Sequence, residues 1–167
     1  MKALLTLDGS QNSESILPTA RRLCELIPDL ELHMLTVLDP KSVHGTRSEP
    51  VDDPKGAAAG TMSIRIPSPR VVETPGEAEE RMQRETTASM GAIAREWFTG
   101  ETPQYHVEWS RDPANTIVSC ADKLDVDVIV MATHGRSGLS HLLAGSVAEA
   151  VIRRSKRPVL VQCPAQS

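Results

Sequence analysis

Aromatic side chains are nearly missing from this sequence: Trp97, Phe98, Tyr105 and Trp109 are all that its 167 residues contain. A surface that stacks nucleic-acid bases needs more of them, and the core of such a chain must be aliphatic. An excess of positive charge is missing too. Eighteen Lys and Arg stand against 22 Asp and Glu, for a net charge of −4 and a pI near 5.7. That balance speaks against a protein that grips nucleic acid by neutralising phosphates. No apolar run is long enough to span a membrane, and Met1-Lys2 leads straight into a strand pattern rather than a leader peptide. Cys24, Cys120 and Cys163 are odd in number and far apart, so they offer neither a disulfide framework nor a metal-ligand spacing. Cys24 and Cys120 read as small buried hydrophobes, and a reducing cytoplasm is the expected location.

Several catalytic signatures are missing as well. No lysine follows the glycines as in a P-loop. The turn Asp8-Gly9-Ser10-Gln11-Asn12 lacks a dinucleotide glycine triplet. There is no His-Glu-x-x-His helix, and Gly135-Arg136-Ser137-Gly138 is one residue short of a nucleophile elbow. Without a positioned base, metal cluster or activated nucleophile, the chain reads as a binding or signalling protein and not as a fast enzyme.

What is present is concentrated between Asp127 and Val161. Asp127 to Ala132 is a short apolar, β-branched run suited to a buried strand. Thr133 to Gly138 is a glycine loop, Gly145-Ser146 follows, and Val147, Ala148, Val151 and Ile152 share a helical face. Arg153, Arg154, Lys156 and Arg157 crowd the end of that helix, where cations suit its dipole. Pro158 stops it, and Val159-Leu160-Val161 is another strand. Glycine lets the main chain approach a ligand closely. Ser146 and the free N–H groups of a helix start can hold phosphate oxygens. Arg136 adds charge there, a solvated loop cation being the equal alternative; His134 reads as a loop-ordering residue.

Gly135, the nine residues Arg136 to Ala144, and Gly145-Ser146 make this stretch resemble the universal stress protein family. Its ATP-binding members carry Gly-x-x-Gly, nine residues, then Gly-Ser or Gly-Thr. The first glycine of that motif falls on Ala132, a departure that would disfavour a positive φ there. The resemblance covers residues 1 to 38 and about 100 to 163. It implies an adenosine pocket from Asp8 and Val37, lined by Thr6 and Met131. It also implies that Ala132 and Gly135 lie by the ribose and phosphates, and that Gly145, Ser146 and Val147 contact phosphate. The expected ligand is ATP, with Mg²⁺, bound by a stress-response regulator with at most slow hydrolysis. The alternative is a family member that binds no nucleotide and works through its dimer surface.

The rest of the chain supplies the frame. Strands are expected at 3–7, 31–38 and 104–109, and helices from Ser13 to about Ile27, from Glu77 to Phe98, and from Pro113 onward. Asp8, at the end of the first strand, either caps the next helix or bonds the loop N–H groups of Gly9 and Ser10, or else it faces a ligand. The long helix should bury a face marked by Ala78, Met82, Glu85, Ser89, Ile93 and Trp97. His33 reads as a structural or edge residue, since no carboxylate or second histidine is spaced to make it a ligand. Residues 39 to 76 form a Pro- and Gly-rich insert, functional or disordered. Five aliphatic strands alternating with helices give the fold class: α/β, one Rossmann-like domain over 1–167, with a parallel open sheet covered on both faces. Val159 to Gln162 reads as an apolar edge strand that would pair with its copy, giving a homodimer, with a tetramer through the insert conceivable.

Overall fold

The computed structural model describes residues 1–43, 73–133 and 145–163. Its elements run β1 (Lys2–Thr6), α1 (Gln11–Glu14), α2 (Leu17–Leu26), β2 (Glu31–Leu38), α3 (Pro75–Trp97), β3 (Gln104–Trp109), α4 (Pro113–Leu124), β4 (Val128–Ala132), α5 (Ser146–Arg154) and β5 (Val159–Gln162). The five strands pair in parallel in the order β3-β2-β1-β4-β5. The chain builds outward from β1 to β3, then returns to place β4 on the other side of β1. In such sheets ligands bind where the order reverses, beyond the carboxyl ends of the strands.

Strand alternation sends side chains to two cores. Ala3, Leu5, Leu7, Met34 and Val130 pack with Ile16, Leu17, Ala20, Met90, Ala94 and Phe98. Leu4, Leu35, Ile129 and Met131 pack on the opposite face with Ile117, Cys120, Ala121, Ala148 and Val151. Phe98 is the only aromatic side chain among the described buried core residues. Leu4, Leu5, Leu35 and Ile129 are wholly buried, so truncating any of them to alanine should cost about 2–5 kcal/mol.

Three local expectations change. The helix expected from Ser13 is two helices. Ser15 closes α1 by bonding back to Asn12 O through its N–H and its hydroxyl, at 3.3 and 2.7 Å. The chain restarts with Pro18, which lacks an N–H, in the first turn of α2, where that loss is harmless. In α3, Glu85 and Ser89 are exposed, while Ala78, Met90, Gly91 and Ala94 are buried. The buried stripe advances in steps of four from Ala78 to Ala94, following the 3.6-residue period. Finally, α3 begins ahead of Glu77. Thr74 Oγ1 accepts from the Glu77 N–H, and the Glu77 carboxylate accepts from the Thr74 N–H, a reciprocal capping box. The insert is therefore described only at its margins, by a 3₁₀ turn at Pro40–Ser42 and this cap; residues 44–72 lie outside the described residues. Strands β3 and β5 form the two edges of the sheet.

Candidate functional site

The carboxyl ends of β1, β2 and β4 open into a cleft of about 410 Å³. Its walls are mostly apolar: Leu7, Leu35, Val37, Pro113, Ile117, Met131, Ala132, Val147 and Ala148 line it. Thr6, Asp8, Ser13 and Ser146 are the polar side chains on the lining. A concave apolar site with a few convergent polar groups suits a small organic ligand.

The turn after β1 is fixed by its own hydrogen bonds. Gly9 adopts φ of +76°, a conformation costly for any other L-residue. The Ser10 N–H donates to Asp8 Oδ1 at 2.9 Å, and the Ser13 N–H donates to Ser10 Oγ at 3.1 Å. Ser13 Oγ accepts from the Asp8 N–H at 3.2 Å and donates to Ser10 O at 2.8 Å. The cap of α1 is Ser10 and not Asp8; Asp8 accepts from the Ser10 N–H and also lines the cleft.

Two helix starts meet the cleft from the other side. At α4, Asp112 Oδ1 accepts from the Asn115 N–H at 3.1 Å, and Arg154 at the end of α5 donates to both Asp112 oxygens at 3.1 and 2.9 Å. The Asn115 N–H, then Arg154, hold the Asp112 carboxyl below the usual carboxylate range. At α5, Gly145 is the N-cap, with φ −58° and ψ 153°, and among the described residues no side chain caps the helix. Ser146 is the first helical residue and not the cap, one position earlier than the sequence suggested.

Of the residues singled out in the sequence, Thr6, Asp8, Val37, Met131, Ala132, Gly145, Ser146 and Val147 come together on this one cleft. Gly135 and Arg136, with His134, lie outside the described residues. Ala132 closes β4 in regular pairing opposite Gln162. The non-glycine residues with positive φ, among those described, are Asp29 and Asp125. Alanine is thus unstrained at position 132. Sequence reasoning missed Leu7, Leu35, Ser13, Pro113, Ile117 and Ala148 as lining residues. Leu35 was within reach, because it shares the face of β2 with Val37. Pro113 and Ile117, one helical turn apart, were recognised only as helix start and buried face.

For His33 the structural reading holds and the edge reading does not, because it is buried on β2, inside the sheet. Its surroundings need a correction: a histidine and a carboxylate both lie beside it. His33 Nδ1 is 3.0 Å from His106 Nε2, and Glu31 Oε1 is 3.2 Å from His33 Nε2. Parallel pairing of β2 with β3 brings these residues together, which spacing along the chain cannot reveal. Among the described residues no group of three or more His, Cys, Asp or Glu could hold a metal ion, and no helix is long and apolar enough to cross a membrane.

A doubly wound parallel sheet with an apolar cleft at its switch point, bordered by a helix start whose cap is a glycine, defines a Rossmann-like α/β protein. The model of the universal stress protein family matches residues 1–162, and the chain belongs to that family. It is 36% identical over 99 residues to universal stress protein MJ0531 of Methanocaldococcus jannaschii, a match covering 59% of this chain and 56% of that protein. The chain thus spans little more than half the length of that relative. The solved structure of protein MJ0577, from the same organism, superposes with a TM-score of 0.69 at 26% identity, over 99% of this chain and 97% of the other. A universal stress protein crystallised in complex with cAMP superposes with a TM-score of 0.58 at 18% identity, over 99% and 98% of the two chains. At that identity the likeness speaks for the fold.

Proposed function

We propose that this family member is a nucleotide-dependent stress-response regulator that binds ATP, with Mg²⁺, in the cleft and hydrolyses it slowly at most. The carrying observation is the start of α5: a helix end capped by a glycine, with no side-chain cap among the described residues, at an apolar cleft of about 410 Å³. Uncapped N–H groups and the positive end of the helix dipole attract phosphate. Val37, Met131, Leu35 and Ile117 would hold the adenine by apolar contact, with Asp8 and Thr6 at the adenosine end. Ala132 would pack by the ribose; its extended backbone removes the strain that the missing glycine suggested. Gly145, Ser146 and Val147 would receive phosphate oxygens, and Gly135 and Arg136 complete the proposed set. Bound ATP supplies a phosphate charge state that a partner can read. The chain's own residues orient and shield it, and no described side chain is poised as a base. The cAMP complex of the distant relative is a property of that protein, consistent with the ligand class.

A second reading, a dimeric interaction module without nucleotide, is favoured by β5. This edge strand is apolar, with Leu160 37% exposed, and offers an open ladder to its copy. A homodimer through β5 is part of both readings.

Calorimetric titration with ATP and Mg²⁺, on the parent and on a Gly145→Val, Ser146→Ala double variant, separates them. Saturable binding in the parent, lost in the folded variant, is the expected result. No binding by a folded, dimeric parent leaves the interaction module.

A further inference from the structure

A second cluster of titratable groups lies away from the cleft, between β2 and β3. His33 is 2% exposed, and its ring centroid is 5.2 Å from that of His106, with the planes tilted by 31°. Sheet register sets Leu35 opposite His106 and Gln104 opposite His33, which makes the two histidines diagonal neighbours on one face. On the far side of His33, Glu31 Oε1 lies 3.2 Å from Nε2 but off the hydrogen-bonding line, leaving that buried nitrogen without a bonded partner. Gln104 Nε2 donates to Glu31 Oε1 at 3.2 Å, and Lys2 Nζ of β1 lies 3.8 Å from Glu31 Oε2. Glu108 of β3 acts on His106, and α4 brings Cys120, whose thiol feels Glu108 and Lys123.

The 3.0 Å contact between Nδ1 and Nε2 requires one N–H and one lone pair. A neutral pair satisfies it, with one ring donating and the other accepting. One added proton can sit on the outer nitrogen of the donating ring, and the contact survives. A second must go to the accepting nitrogen, and two N–H bonds then face each other in a buried place. In the unfolded chain both rings take protons independently near pH 6.5. The folded sheet therefore binds fewer protons in acid than the unfolded chain does. The stability that the second proton removes is present above the ordinary imidazole value, about pH 6.5, and is lost as the pH drops below it. Burial, and then His33, push the His106 imidazole below its ordinary value, which acts in the same direction.

We propose that the His33–His106 pair is an acid sensor that unfastens β3 from β2. The strand β3 is the element released because it lies at the sheet edge, whereas β2 is also held by β1. Leu35 and Val37, the cross-strand partners of His106 and Glu108, line the cleft, so the release of β3 acts on the cleft wall.

The test is amide hydrogen exchange of the full chain at about pH 7.5 and about pH 5, after correction for intrinsic rates, on the parent and on His106→Gln. Between the two conditions, protection of the β3 amides in the parent should fall about tenfold relative to β1, and in the variant by less than about twofold. Equal losses in both proteins, or no loss in the parent, overturn the proposal. Should His106→Gln not fold, the imidazole resonances of the parent decide. Protonation of the second ring only together with loss of β2–β3 contacts supports the sensor. Titration of both rings within an unchanged native spectrum overturns it.

Discussion

The starts of α4 and α5 face the same cleft and are finished in opposite ways. Helix α4 satisfies itself: Asp112 caps it, Pro113 occupies its first turn, and Arg154 ties the capping carboxylate to the end of α5. What α4 gives the cleft is apolar surface, from Pro113 and Ile117. Helix α5 has glycine where α4 has aspartate, and among the described residues no side chain takes the place of a cap. A capping carboxylate and a phosphate compete for the same N–H groups. Among the described residues one start is filled and the other is not, and the unfilled one is the natural place for a ligand's charge.

Four substitutions test that contrast. The largest effect belongs to the apolar wall. Ile117→Ala, at a residue 4% exposed, should cost about 2–4 kcal/mol in chemical denaturation and weaken nucleotide binding as well. Next, Gly145→Asp should give α5 the kind of cap that α4 has. Affinity for ATP should drop about 100-fold, near 2.7 kcal/mol by titration calorimetry, while stability rises by a few tenths of a kcal/mol. Opposite signs for stability and binding are the signature of the open start. A stability loss together with retained binding would mean that the phosphates lie elsewhere.

Smaller effects belong to the closed start. Asp112→Ala should lower the melting temperature by about 2–4 °C and leave ATP affinity within about twofold. The Asp112 carboxyl is held below its ordinary value, so its contribution is present above the ordinary carboxylate range and lost as the pH falls through the lowered value. The difference between parent and Asp112→Ala should therefore vanish in strong acid. Arg154→Gln removes only an exposed ion pair and should shift the melting temperature by about 1 °C or less, less still at high salt. A larger loss would show that Arg154 locks the two helices together.

The frame of this molecule was legible because its signals are local. Strands over 31–38 and 104–109 carry their period and their end signals within themselves, and the structure gives them the same bounds. The start of α4 at Pro113 was equally plain. The glycine-serine pair marked the α5 start to within one residue. What escaped was set by partners distant in sequence. His33 meets His106 across 73 positions because two strands run side by side. The buried stripe of α3 passes through Met90 and Gly91, and not through Glu85 or Ser89, because packing on the sheet selects the face. Pro113 and Ile117 became cleft residues only when the switch of strand order placed α4 above the end of β2. By contrast, Ala132 looked like a defect in the motif. It is unstrained because the position belongs to the last residue of a strand.

The measurement that bears most directly on the open helix start is a pair of backbone amide titrations, one with ATP and Mg²⁺, the other with adenosine. Both ligands should shift the amides of Asp8 and Val37, and ATP alone should shift those of Ser146, Val147 and Ala148. If ATP leaves the three α5 amides unmoved, or moves Ala114, Asn115 and Thr116 of α4 in their place, the account is contradicted.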